Sequence, residues 1–442
     1  MPPLAEIAMH FFLQMAVILA VYRLLWPLFR RLRQVQVVAI MVAGFLLGPS
    51  LLGAIAPQLQ NWLFPQKITI DGVSVTHPSL VALYVVGQLG LVLYMFLVGM
   101  AFNSDIFARH VRHATVTSFA GIAMPMLLGG LVGWTMVEVG GGFFPDEVLG
   151  WQAALFVAAA IAITAFPMLA WIVYDSNLLH TRLGTMALAC AAADDAAAWI
   201  LLAAVIAATK GSAAIVLLAL AGAVAYIAIM VTVGRRLLRR LGQWADDRAT
   251  PGESLPPGAL VIAMLVMLGG AWFADLVGIY SVFGAFVAGA AMPRGRLADL
   301  LRERIEPLTA FVLLPAFFVY SGLNTTLSLV FEPTTLIMLL VVLVVAFVGK
   351  GVSVALAARS QGLDWREAGS LGALMNARGL MELILLNIGL NAGIVTPKLY
   401  TILAIMTIVT TFAATPLHLW IKGHRPAADD ETESPAPALA RP

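Results

Sequence analysis

Charge is what this chain has least of. Lysine, arginine, aspartate and glutamate make up 11% of its 442 residues, against about 25% in soluble domains. A single cysteine, Cys190, excludes any internal disulfide and says nothing of the redox compartment. No Ser/His/Asp, HExxH or CxxC constellation for hydrolysis or metal binding is evident. No glycine fingerprint follows a strand pattern, which excludes a nucleotide-sensing module and any expected cofactor; nor does the composition point to nucleic acid. The start, MPPLAEIA, lacks a basic n-region and a small-residue cleavage site, so the first apolar segment is read as a retained helix, not a signal peptide.

What the chain has instead is apolar length. Hydrophobic residues make up 61% and mean hydropathy is +0.93, the signature of an all-α protein crossing a membrane many times. Segments of about 20 apolar residues number about thirteen: residues 7–28, 35–52, 80–100, 115–137, 151–173, 183–208, 213–233, 258–276, 279–292, 308–323, 336–358, 367–390 and 399–421. Twenty lysines and arginines fall in one alternate set of loops and the tail, and three (Lys67, Lys210, Lys398) in the other. The positive-inside rule then places the N-terminus outside and the C-terminus in the cytoplasm. Residues 1–425 form the transmembrane domain, and 426–442, polar and rich in proline and alanine, read as a disordered cytoplasmic tail.

Against this background four buried charges stand out. Asp194 and Asp195 lie inside CAAADDAAAWILLAA, residues 190–204. Each charge at the bilayer centre costs about 2.5–3.5 kcal/mol, which a purely structural span would not retain. Asp194 sits ~18 Å in from the cytoplasmic end of its helix, Lys350 ~13 Å and Arg378 ~20 Å if its helix is regular. In a core ~30 Å thick all three approach the midplane, where opposite charges on different helices make burial tolerable. Consecutive helical residues point ~100° apart, so one aspartate can meet Lys350 while the other faces a cavity. The surrounding alanines let helices and water come close.

Two segments also carry signs of interruption. Pro167, in ITAFPM at 163–168, removes a backbone donor and disturbs the preceding turn. The freed carbonyls and the Thr164 hydroxyl are then expected to face a cation. The segment GALMNARGLMELILLN carries Asn376, Arg378, Gly379 and Glu382 as a second candidate break. Paired interrupted helices in two halves point to a transporter binding site. Plainer roles stand beside these: Lys350 snorkelling to the interface, Arg378 and Glu382 pairing four apart on one helix face, Pro167 as a kink, Thr164 bonding its own preceding turn. An intramembrane aspartyl protease needs its two carboxylates on separate helices, and no GxGD stretch is present.

These features together resemble the monovalent cation:proton antiporter superfamily, in its second branch, which includes bacterial sodium/proton and potassium/proton exchangers. The matching stretches are AGFLLGPSLLG (43–53), LGLVLYMFLVGM (89–100), ITAFPMLAWIV (163–173), AAADDAAAW (191–199), VFGAFVAGAAMPR (282–294), LLPAFFVYSGL (313–323), VGKGVS (348–353) and NARGLMELILLNIGL (376–390). The resemblance implies an inverted-repeat antiporter fold of thirteen helices with two crossing broken helices. It implies a homodimer in a bacterial-type inner membrane, with a dimerisation part and a mobile core part (helices near 80–208 and 308–421). It implies that Asp195 binds the cation and protons, that Asp194 pairs with Lys350, and that Thr164 lies at the crossover beside the ion. The monovalent metal, Na⁺ foremost, is then held by Asp195, Thr164 and Asp194, with Pro167, Asn376, Arg378 and Glu382 supporting the crossover. The activity implied is exchange of H⁺ for Na⁺ by alternating access, electrogenic if Lys350 also gives up its proton. K⁺/H⁺ exchange, a channel and an organic-ion transporter stay open on the same architecture. One departure is QVQVVAI at 34–40, which lacks the proline and glutamate of the family's second-helix motif.

Overall fold

The computed structural model describes residues 4–422 other than 33, 35, 71–72, 102–103, 177, 179–180, 211–212, 249–255, 279 and 326. Some side chains inside its helices, those of Asp195 and Pro167 among them, lie outside the description, as does the tail at 426–442. Nine helices among the described residues are long and apolar enough to cross a bilayer. They begin with Leu4–Arg31 and end with Pro397–Lys422. Among the described residues the architecture departs from all-α at one place. Lys67–Ile70 and Val73–Thr76 form an antiparallel pair, Lys67 opposite Thr76 and Ile70 opposite Val73.

Helix packing divides the chain into two groups. In the first, Pro78–Ala101 lies between Ser281–Ala291 and Leu314–Leu323, and the latter also packs on Gln36–Leu47. Glycine makes these approaches close. A Cβ at Gly322 would overlap the backbone of Gly44, and Gly99 and Gly289 each stand against a carbonyl of the facing helix, Phe286 and Phe96. Lipid tails supply no hydrophobic drive between helices, so close backbone contact through small residues is what holds them.

In the second group, Ser104–Val139 packs on Gly150–Ala162, on Arg182–Lys210 and on Pro333–Ser360. Trp365–Leu374 then joins Pro333–Ser360 to Pro397–Lys422. Both expected interruptions are here. The fifth apolar segment is two helices, Gly150–Ala162 and Phe166–Asp175, with Ile163 extended at φ −67°, ψ 136°. The twelfth is Trp365–Leu374 and Leu380–Asn391. Pro167 is the second residue of Phe166–Asp175, where the missing N–H costs nothing because the first turn's donors have no intrahelical partner. It starts a helix and does not kink one. In the second break Gly379 takes φ 157°, ψ −110°, which a residue with a Cβ rarely adopts. A Cβ there would also press on Met168 from the first interrupted pair.

Candidate functional site

The two breaks touch. The N–H of Ala165 donates to the carbonyl of Ala377 at 3.1 Å, so irregular backbone from one interruption completes the other. Non-helical backbone is tolerated at membrane depth only where protein or a polar cavity satisfies it.

The first half-helix shows how. The last four carbonyls of a helix have no intrahelical partner and carry the negative end of its dipole. In Gly150–Ala162 all four are satisfied. Ala159 accepts from the N–H of Ile163 at 3.2 Å. Ala160 and Ile161 accept from the two terminal nitrogens of Arg378, at 2.9 and 2.5 Å. Ala162 accepts from Lys350 Nζ. In this conformation the carbonyls at the end of the half-helix are therefore taken by two cations from other segments of the chain. Arg378 itself is not in a regular helix, contrary to the depth count from Trp365, because the helix stops at Leu374. Its main chain is anchored by Thr411, whose hydroxyl accepts from Arg378 N–H at 2.9 Å and donates to its carbonyl at 2.8 Å.

Asp194 stands at the centre, 1% exposed. Lys350 Nζ meets its Oδ2 at 2.8 Å, with both side chains fully buried. The Thr164 hydroxyl donates to the same oxygen at 2.7 Å and lies 3.2 Å from the carbonyl of Met375 in the second break. The Ser118 hydroxyl, from Ser104–Val139, donates to Oδ1. Asp194 thus gathers three donors from three other segments, the satisfaction that an ionised carboxylate needs away from water.

The predicted residues are thereby located. Asp194, Thr164 and Lys350 meet at one point. Arg378 joins them through the Ala160–Ala162 carbonyls, while its pair with Glu382 is a looser 3.5 Å. Asn376 is buried beside the break, its amide N donating to Gly372 O at 2.9 Å. Asp195 lies on the helix Arg182–Lys210, its side chain outside the description. Ser118 was missed. It lies only three residues inside the apolar segment 115–137, and a serine in an apolar helix carries no cost that calls for a partner. At the departure from the family motif, Gln34 is buried and donates to Phe412 O at 3.2 Å, tying that corner to the last helix.

Comparison with known proteins identifies the family. Residues 16–420 match the family model for the transmembrane sodium/hydrogen exchanger. The chain belongs to the sodium/hydrogen exchanger family. Within this family it is 37% identical to the Na(+)/H(+) antiporter NhaS4 of Synechocystis, over 91% of this chain and 94% of that one. It is 31% identical to the K(+)/H(+) antiporter 1 of Saccharomyces cerevisiae, over 92% of this chain and 46% of the yeast protein, so it spans about half the length of that exchanger. The sodium proton antiporter MjNhaP1 of Methanocaldococcus jannaschii superposes with a TM-score of 0.63 at 15% identity, over 95% of this chain and 100% of that one. The fold is that of a multi-pass membrane exchanger.

Proposed function

We propose that the protein exchanges H⁺ for a monovalent cation across a bilayer by alternating access, with Na⁺ as the cation. The observation that carries this reading is the buried Lys350–Asp194 pair at the meeting point of two helix breaks. A passive pore has no use for a fully desolvated lysine in contact with a carboxylate. A proton-driven exchanger does, because a cation and a proton then compete for carboxylate charge and the competition couples their fluxes.

In the conformation described, Asp194 is saturated by Lys350, Thr164 and Ser118. Its oxygens become available to a cation only when Lys350 withdraws. Asp195, next in the chain, is the proposed first ligand and proton carrier, with the Thr164 hydroxyl and Asp194 completing the oxygen set. The two carboxyl groups are consecutive in the chain, so loading of one with a proton or cation changes the charge beside the other. A Lys350 that gives up its proton as the cation enters makes the cycle electrogenic, each net charge moved being worth ~2.3 kcal/mol per 100 mV. Na⁺ is preferred because the similarity to NhaS4 spans nearly the whole of both chains. K⁺ is the second reading, supported by the likeness to the yeast exchanger.

The same proposal includes a homodimer in a bacterial-type inner membrane, with the N-terminus outside. It includes a mobile part near 80–208 and 308–421 working against a dimerisation part. The packing favours narrowing that mobile part: Pro78–Ala101 and Leu314–Leu323 pack on each other and on Ser281–Ala291 and Gln36–Leu47, and are taken out of it into the dimerisation part. The test is proton movement in proteoliposomes carrying an internal pH dye. A Na⁺ or K⁺ pulse drives it in the wild type; no movement with either ion removes the reading.

A further inference from the structure

Glu382 takes no part in that scheme, yet its chemistry is unsettled. The side chain is fully buried, and neither carboxylate oxygen receives a hydrogen bond. Its nearest cation is NH1 of Arg378 at 3.5 Å. That guanidinium is already committed, NH1 to Ala160 O and NH2 to Ile161 O, while its Nε has no acceptor. On the final helix, Thr407 faces Glu382 but donates its hydroxyl to Leu403 O at 2.8 Å. From Pro333–Ser360 the charge of Lys350 reaches Glu382, but its ammonium is held by Asp194 and Ala162. An ionised carboxylate offers about four acceptor positions. Left buried without donors, it sheds the cost of its charge by taking a proton.

We propose that Glu382 carries a proton in this conformation and is a second proton-binding site, coupled through Arg378 to the carbonyls of Ala160 and Ile161. With Glu382 neutral, the guanidinium belongs to the first half-helix and occupies both carbonyls. When the Glu382 O–H bond breaks and the proton leaves to water, the carboxylate becomes the stronger acceptor. Arg378 turns to it, four residues away in the chain, and the Ala160 and Ile161 carbonyls are released. Two oxygen ligands then appear three and four residues from Thr164, at the negative end of a helix dipole. Proton release at Glu382 thus prepares the site for a cation, and cation binding favours proton release.

The inference extends the exchange reading without requiring it, because the protonation state of Glu382 belongs to the folded chain. The experiment is infrared difference spectroscopy on the full-length protein in lipid vesicles, wild type against Glu382→Gln. The expected result at neutral pH is a carbonyl stretch of a protonated carboxylic acid that shifts in D₂O and is lost in Glu382→Gln. Added Na⁺ or K⁺ is expected to diminish that band in the wild type. Should Glu382→Gln fail to fold, Glu382→Asp is expected to displace the band. A band unchanged by either variant, or Glu382 present as a carboxylate at neutral pH, overturns the proton site. A band insensitive to both cations overturns the coupling. Vesicles that show the band but no cation-driven proton movement refute the exchange reading alone.

Discussion

Replacing Asp194 by Asn keeps the shape of the site and removes its charge. The amide oxygen still accepts, but the nitrogen cannot, so the donors on Oδ2, Lys350 at 2.8 Å and Thr164 at 2.7 Å, lose their acceptor. Breaking a buried ion pair by removing one partner costs about 3–5 kcal/mol, because the remaining charge stays buried. An orphaned lysine can escape by giving up its proton. From an ordinary value of ~10.4 that costs about 4.6 kcal/mol at pH 7, which bounds the penalty from above. Unfolding entropy of ~2.1 cal/mol/K per residue amounts to about 0.9 kcal/mol/K for the 442-residue chain. The expected loss in Tm is therefore about 3–5 °C, read by thermal unfolding in detergent at pH 7. A second variant separates charge from packing. Asp194→Asn combined with Lys350→Met leaves no buried charge at the pair, and is expected to recover most of the loss while transport stays abolished. An Asp194→Asn protein as stable as wild type, or a double variant no more stable than the single one, refutes the claim that Asp194 is the acceptor that makes Lys350 tolerable.

Other consequences follow from the same contacts. Thr164→Ala removes the hydroxyl donated to Asp194 and is expected to cost about 1.5–3 kcal/mol and to weaken the apparent cation affinity, while Thr164→Ser restores both; equal behaviour of the two contradicts a role for the hydroxyl. Gly322→Val forces a side chain into the backbone of Gly44 and is expected to lower stability by about 1–3 kcal/mol, with a matching fall in Tm; a neutral result contradicts the close packing described. His77 precedes the helix Pro78–Ala101 and contacts Ser79 Oγ at 2.8 Å. Burial, then the charge of His10, hold its pKa below the usual 6.5, with Glu6 opposing. The folded state therefore binds this proton less tightly than the unfolded chain. Its contribution to stability is complete above pH 6.5 and is lost as pH falls through the lower folded value. His77→Gln is expected to flatten the acid limb of a Tm-against-pH curve, and an unchanged limb refutes the assignment.

Charge in an apolar sequence is what made the centre of the site legible. Asp194 and Lys350 are costly wherever they lie in a span, and depth counting along two helices is enough to bring them to one level. Arg378 was less legible for a physical reason. Its neighbour at i+4, Glu382, offers a local partner that any helix reading favours, whereas the structure breaks the helix at Leu374 and sends the guanidinium to Ala160 and Ile161 of another segment. Asn376, Gly379 and the two charges marked the segment as a candidate break, but not where the guanidinium goes once the helix stops. The acceptors are main-chain carbonyls, which no sequence distinguishes. Ser118 escaped for a similar reason. The pair of strands at Lys67–Ile70 and Val73–Thr76 was readable from alternating residues around Asp71-Gly72, a hairpin signal, but a count of long apolar runs passes over four-residue strands.

The central claim is that carboxylate charge at the crossing of two broken helices trades a cation for a proton. The most direct measurement is a Li⁺, Na⁺, K⁺ and Rb⁺ series in proteoliposomes with an internal pH dye, run on the wild type and on folded Asp195→Asn. Proton movement in the wild type that is steepest with Na⁺, and none with any ion in Asp195→Asn, is the predicted result. Equal cation-driven proton movement in the two proteins would contradict it.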